Sequence, residues 1–196
     1  MGRAPPLADP TLLKELSEYV LKFMAKHFRP LSLNDDLSFE TWLKNKTTWP
    51  AWRRKELREK WAQCDETLRP KHFKVKSFPK DETYPTIKHV RGIMSRTDEF
   101  KCAVGPTFAA IEKEIFKHPA FIKKIPVKDR PEYVKNMIEK TGFKYGTGDY
   151  TAYESLFVPE VMKAIEFVAY DYMTAHLPET NLFRKYLREV IAGTNV

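Results

Sequence analysis

The sequence predicts an α+β chain, rich in helix and with an incomplete sheet, and three observations carry that prediction. Apolar residues recur at helical spacing behind good N-terminal caps along most of the chain. Two short runs around 73–78 and 90–94 read as extended, joined by a connection that holds Pro79, Pro85 and an acidic pair. A third extended run covers 144–149, ahead of a strongly apolar helical stretch. With 196 residues, 42% of them hydrophobic and 13% aromatic, the chain can bury one sizeable core and is not a disordered segment.

Charge and cysteine usage narrow the function classes. Lys and Arg number 34 against 26 acidic residues, a net charge of +8, which favours a polyanionic partner or an anionic surface. Cys64 and Cys102 stand far apart and the five histidines are scattered, so neither a zinc-ligand spacing nor a disulfide framework is legible, and a reducing compartment is expected. No apolar run reaches the roughly 18 to 20 residues of a membrane span, and the polar start lacks the apolar core of a signal peptide. A soluble, cytoplasmic protein is the expectation, without internal repeats or low-complexity tracts.

Taken in order, Asp9 before Pro10 is a cap and first-turn pair, and Leu12, Leu13, Leu16, Tyr19, Val20, Phe23 and Met24 follow on one face to about His27. Ser38 opens a short helix over 39–43, and Pro50 opens another that holds Trp52, Leu57 and Trp61. Basic residues from Lys44 to Lys60 are interleaved with Trp42, Trp49, Trp52 and Trp61. That mixture suits backbone charge and base stacking, and it equally suits a solvated face over a tryptophan-anchored core.

The stretch 71–101 holds eight cations against four anions, half of the chain's excess charge. Folded on its two extended runs it makes a basic hairpin-like arm, whose Arg forks and Lys point charges can hold phosphate oxygens. A surface strand pair decorated with charge fits the same residues. Gly105-Pro106 is expected to break the chain before an amphipathic helix with Phe108, Ile111, Ile115 and Phe116 inward and Glu112, Lys113 and Glu114 outward. Asp129-Arg130-Pro131 opens a further helix, stopped by Gly142.

The chain then reaches Gly146-Thr147-Gly148-Asp149-Tyr150-Thr151-Ala152-Tyr153-Glu154-Ser155. An aspartate at a strand end, between glycines that let a bulky anion approach, suits a Mg²⁺ ion carrying phosphate oxygens. A turn aspartate followed by a pre-helical glutamate is the plainer alternative. Pro159 can start a long helix with Val158, Val161, Met162, Ile165, Val168 and Tyr172 on one face, and a last amphipathic helix is expected over 181–191.

The decapeptide resembles the first palm motif of viral RNA-dependent RNA polymerases of the tombusvirus-like group, which have an Asp-Tyr-Thr-(Ser/Ala)-(Phe/Tyr)-Glu run. Upstream, Phe78-Pro79-Lys80-Asp81-Glu82 and Arg91-Gly92-Ile93-Met94-Ser95-Arg96 resemble the basic fingers motif of the same enzymes, in the same order. The resemblance covers about residues 70–196. It implies a helix-rich fingers portion over 1–140, including the basic arm 71–101, and the start of a palm over 141–196.

By resemblance, Asp149 is the catalytic residue and ligand of Mg²⁺, or of Mn²⁺ in its place. Lys80 and Arg91 contact the ribonucleoside triphosphate, with Arg96 supporting the same site. Glu82 braces the arm through an ion pair, while Lys76 and Lys88 are candidates for the RNA channel. Glu154 stands where many of these enzymes place an aspartate that reads the ribose 2′ hydroxyl. The implied partners are RNA template, primer and ribonucleotides, in a replication complex of the host cytoplasm. The family's later Gly-rich helix and Gly-Asp-Asp hairpin do not occur in these 196 residues, so the resemblance implies a polymerase fragment that is inactive alone. Two other classes fit parts of the pattern: a non-catalytic basic RNA-binding protein, and a phosphohydrolase built on Asp149 with Mg²⁺, which lacks a cluster of Asp, Glu or His around it.

Overall fold

The computed structural model describes residues 8–46, 48–87, 90–148 and 157–193. The fold is α+β, about 57% helical, with one small antiparallel sheet of two strands among the described residues. The chain divides into two compact units, Met1–Ser32 with Ile111–His176 and Leu33–Ala110 with Leu177–Val196.

The first unit is built on helix α1, Pro10–His27. The Asp9 carboxylate accepts from the Thr11 N–H at 2.8 Å, Pro10 sits in the first turn and basic Lys26 and His27 close the last, each satisfying or complementing an end of the helix. Helix α1 packs on α6, Pro159–Ala164, and α7, Glu166–Met173, burying Met24, Ala164, Phe167 and Met173. The Leu31 N–H donates to the Met173 carbonyl at 2.8 Å and the Tyr172 hydroxyl to the Phe28 carbonyl at 2.9 Å, fastening the chain after α1 to α7.

Three expectations fail here for tertiary reasons. The single helix expected from Pro159 is two, because Ile165 leaves helical geometry at φ −116°, ψ −71°. The Ser17 hydroxyl lies 3.0 Å from the Ala164 carbonyl beside the break and offers that acceptor a partner outside the helix. Among the described residues these helices pack against α1, where packing under a palm sheet was expected. Residues 144–148, expected to begin a palm strand, are exposed and in no strand: Gly146 and Gly148 have nothing within 4 Å of a would-be Cβ, and no strand among the described residues supplies ladder hydrogen bonds.

Helix α5, Arg130–Ile138, opens at Arg130-Pro131 as expected but ends at Ile138, short of Gly142, which takes the left-handed conformation at φ +82°. Glu114 is turned inward, contrary to the pattern, because its carboxylate meets Arg29 at 3.3 Å and Lys117 at 2.6 Å. A charge that reaches two cations can leave solvent without standing unpaired. Phe23, His27, Phe28 and His118 form an aromatic cluster above it, with the His27 and His118 rings 4.9 Å apart.

The second unit has its core around α2, Phe39–Lys44, and α3, Ala51–Gln63. Ser38 caps α2 through the Thr41 N–H at 3.3 Å, and Pro50 precedes α3. Trp42, Leu43, Leu57, Trp61, Cys64 and Cys102 are buried together, with Trp49 against them, whereas Trp52 is 67% exposed. Three of the four tryptophans therefore anchor the core. The cations of α3 and of the turn before it are engaged with neighbours too: Arg58 forks onto Glu40 at 2.7 Å, Arg54 donates to the Lys46 and Trp49 carbonyls, and Lys46 lies over the Trp42 and Trp49 rings.

A short 3₁₀ turn, Pro70–Phe73, leads into strand β1, Val75–Pro79, which pairs with β2, Gly92–Arg96. Helix α4, Asp98–Ile115, follows and runs straight through Gly105 and Pro106 instead of breaking there. Burial of Val104, Pro106 and Thr107 on its inner face offsets the hydrogen bond that proline removes, which costs about 3 kcal/mol. Helix α8, Asn181–Tyr186, continues into a π turn, Leu187–Ile191, and lays Phe183, Tyr186, Leu187 and Val190 into the core. Burial pushes the Cys102 thiol up to about 12, so at neutral pH it holds almost no thiolate. A disulfide-exchange reagent is expected to leave Cys102 unmodified until the protein unfolds, and burst labelling of both cysteines in the folded state would show this core to be wrong.

Candidate nucleic-acid interface

The β1–β2 ladder fixes the geometry of the basic arm. Val75 faces Arg96, Phe78 faces Ile93 and Pro79 faces Gly92, and the Lys80 N–H donates to the Arg91 carbonyl at 2.8 Å, extending the pairing by one step. Since side chains alternate along a strand, Lys76, Phe78 and Lys80 share one face with Ser95, Ile93 and Arg91.

At the far end of that face Lys80 and Arg91, both picked out as triphosphate contacts, converge on Glu82. Arg91 reaches Glu82 Oε2 with Nη2 at 2.6 Å and Nε at 3.0 Å, and Lys80 and the Tyr84 hydroxyl meet the same carboxylate. Arg91, then Lys80 and Tyr84, hold the Glu82 carboxyl down at about 2, and Glu82 pushes the Arg91 guanidinium further up. The ion-pair brace expected of Glu82 is present, to both cations. Tyr84 is the member sequence reasoning missed; its place two residues after Glu82, in a turn between paired strands, was the available signal.

Arg96 does not join this group. It stands at the opposite end of the hairpin, about 17 Å away for five residues at about 3.3 Å each. Its guanidinium donates to the Phe73 carbonyl at 2.7 Å and the Val190 carbonyl at 3.0 Å and lies over the Phe100 ring. Burial pulls its pKa down. These bonds tie the base of the arm to the C-terminal segment.

Beside Arg96 lies a cleft of about 530 Å³, lined by Arg53, Lys60, Lys71, Lys76, Arg96 and Lys101 with only Asp98 and Glu99 as carboxylates. Asp98 is its hub. Arg53 grips it with both arms at 2.5 and 3.0 Å, and Lys60 donates to it at 2.7 Å. Burial alone would raise the Asp98 carboxyl, but the Arg53 and Lys60 hydrogen bonds outweigh it and hold it at about 2. Lys101 donates to Ser95 Oγ at 2.9 Å, while Lys71 and Lys76 are exposed at the rim. Lys76, expected to meet RNA, lines this cleft. The cleft itself was not legible, because Arg53 and Lys60 come from 45 and 38 residues before Asp98.

Asp149, Glu154 and Lys88 lie outside the described residues. Among the described residues no group of three or more His, Cys, Asp or Glu side chains is placed to hold a metal ion, and no helix is long and apolar enough to cross a membrane. No known protein-family model matches the chain, nor does any curated protein or solved structure.

Proposed function

We propose that the chain carries the fingers arm and the first palm motif of a viral RNA-directed RNA polymerase of the tombusvirus-like kind, an enzyme that joins ribonucleotides on an RNA template. The observation that supports it best is the hairpin: the basic stretch that resembles the fingers motif is strand-paired, and Lys80 and Arg91 come from different strands to one spot. An Arg fork beside a Lys point charge suits a triphosphate, holding it by two geometries at once. The proposal gives Asp149 the role of holding Mg²⁺, or Mn²⁺, which when bound would offset charge on the reacting oxygens. Glu154 would stand near the ribose, Lys76 along the RNA backbone, and Arg96 behind the arm as a positioning residue. The cytoplasmic replication complex belongs to the same proposal.

The cleft around Asp98 favours a second reading, a basic protein that grips RNA backbone without catalysis. Both readings share one test. The protein is expected to bind single-stranded RNA with little sequence preference and strong salt dependence, and each phosphate contact contributes roughly 0.7 to the log-log salt slope. Neutralising Lys76, Lys80 and Arg91 together should lower that slope by roughly 2. An unchanged affinity and slope in the triple variant, measured by fluorescence anisotropy over a salt series, would remove the arm from the RNA interface. Template-directed incorporation of nucleotides, measured on the chain completed with a downstream palm, separates the two readings.

A further inference from the structure

We propose that Glu82 is a built-in competitor for the anion seat of the arm: its carboxylate occupies the place framed by Lys80, Tyr84 and Arg91, and a phosphate group enters by displacing it. The inference rests on the reading of the arm as a polyphosphate-binding element. Four donor groups, the Arg91 Nε and Nη2, the Lys80 ammonium and the Tyr84 hydroxyl, converge on this single two-oxygen acceptor. The same fork and point charge fit a terminal phosphate, which brings a third oxygen and more charge than a carboxylate.

Displacement is inexpensive because the cluster is on the surface. The Arg91 side chain is 62% exposed, and exposed ion pairs contribute little in water. Glu82 sits in 80–87, a stretch without regular structure, between Lys80, whose N–H is fixed to the Arg91 carbonyl, and exposed Thr83, so its side chain can swing out while the Lys80–Arg91 backbone pairing holds. The carboxylate is ionised throughout the neutral range, being held at about 2 by Arg91, Lys80 and Tyr84, so it competes at every working pH. The seat is therefore selective. A monoanion gains little over the resident carboxylate, whereas a polyphosphate adds charge that Glu82 cannot match.

Inorganic tripolyphosphate, titrated into the whole chain by calorimetry, tests this. Glu82→Gln is expected to tighten binding about fivefold or more, and Arg91→Ala to abolish it in either background. Glu82→Asp, which keeps the charge but withdraws it by one methylene, should fall between wild type and Glu82→Gln; it decides the matter if the amide variant loses the hairpin's circular-dichroism signature. Binding that is equal or weaker in both Glu82 variants but still lost in Arg91→Ala would overturn the competitor role and leave the anion site standing. No binding in wild type or variants would overturn both.

Discussion

Asp149→Asn is expected to abolish nucleotide addition in a polymerase completed with a downstream palm, while RNA affinity stays within about twofold of wild type. An amide of the same size keeps the shape of the side chain and loses the charge, and a hard divalent cation such as Mg²⁺ takes carboxylate oxygens in preference to an amide. Phosphoryl transfer depends on alignment and charge compensation, and a misplacement of about 1 Å can cost roughly a hundredfold, so losing a ligand should cost more than that. On the proposed function, RNA affinity would rest on other residues, the cations of the arm and of the cleft around Asp98. Primer extension together with anisotropy on the same samples therefore reads two separate quantities. An active Asp149→Asn enzyme would place the metal site elsewhere, and parallel loss of binding and activity would show that Asp149 shapes the fold.

The local signals of this sequence were the legible ones. Asp9 with Pro10, Ser38 and the Asp129-Arg130-Pro131 opening are contained within a few residues, and each stands at the helix start it predicts. The hairpin was legible for the same reason, since its two short runs read as extended and its connection carries turn residues. Failures fall where a distant residue decides. Ile165 leaves the helix beside the Ser17 hydroxyl, Glu114 is buried because Arg29 and Lys117 meet it, and α4 passes through Gly105-Pro106 because its inner face is covered. At the candidate site, neighbours in sequence met in space: Lys80, Glu82 and Arg91 belong to one hairpin. Arg96 follows the same motif but sits five residues down the strand, where burial and two carbonyls claim it. Charge type was readable; the direction a side chain faces was not.

Gly105→Ala is expected to destabilise the protein by roughly 1 to 3 kcal/mol, the usual cost of overpacking a core, even though alanine is the better helix former. A Cβ at position 105 would lie 2.5 Å from Cζ2 and 2.7 Å from Cε2 of Trp42, inside any real carbon contact. The obstacle is a rigid indole that is itself 6% exposed and packed with Leu43, Leu57 and Trp61, so it cannot step aside without moving the core of the second unit. Helix propensity pulls the other way by about 1 kcal/mol for a Gly to Ala exchange within a helix, so a net loss of stability measures how far the clash exceeds it. Two controls isolate the contact. Gly146→Ala, where nothing lies within 4 Å, should leave the urea midpoint unchanged, and Trp42→Phe combined with Gly105→Ala should recover part of the loss by removing the ring carbons in the way. A Gly105→Ala protein as stable as wild type, or a double variant whose losses simply add, would mean that Trp42 does not rest on Gly105.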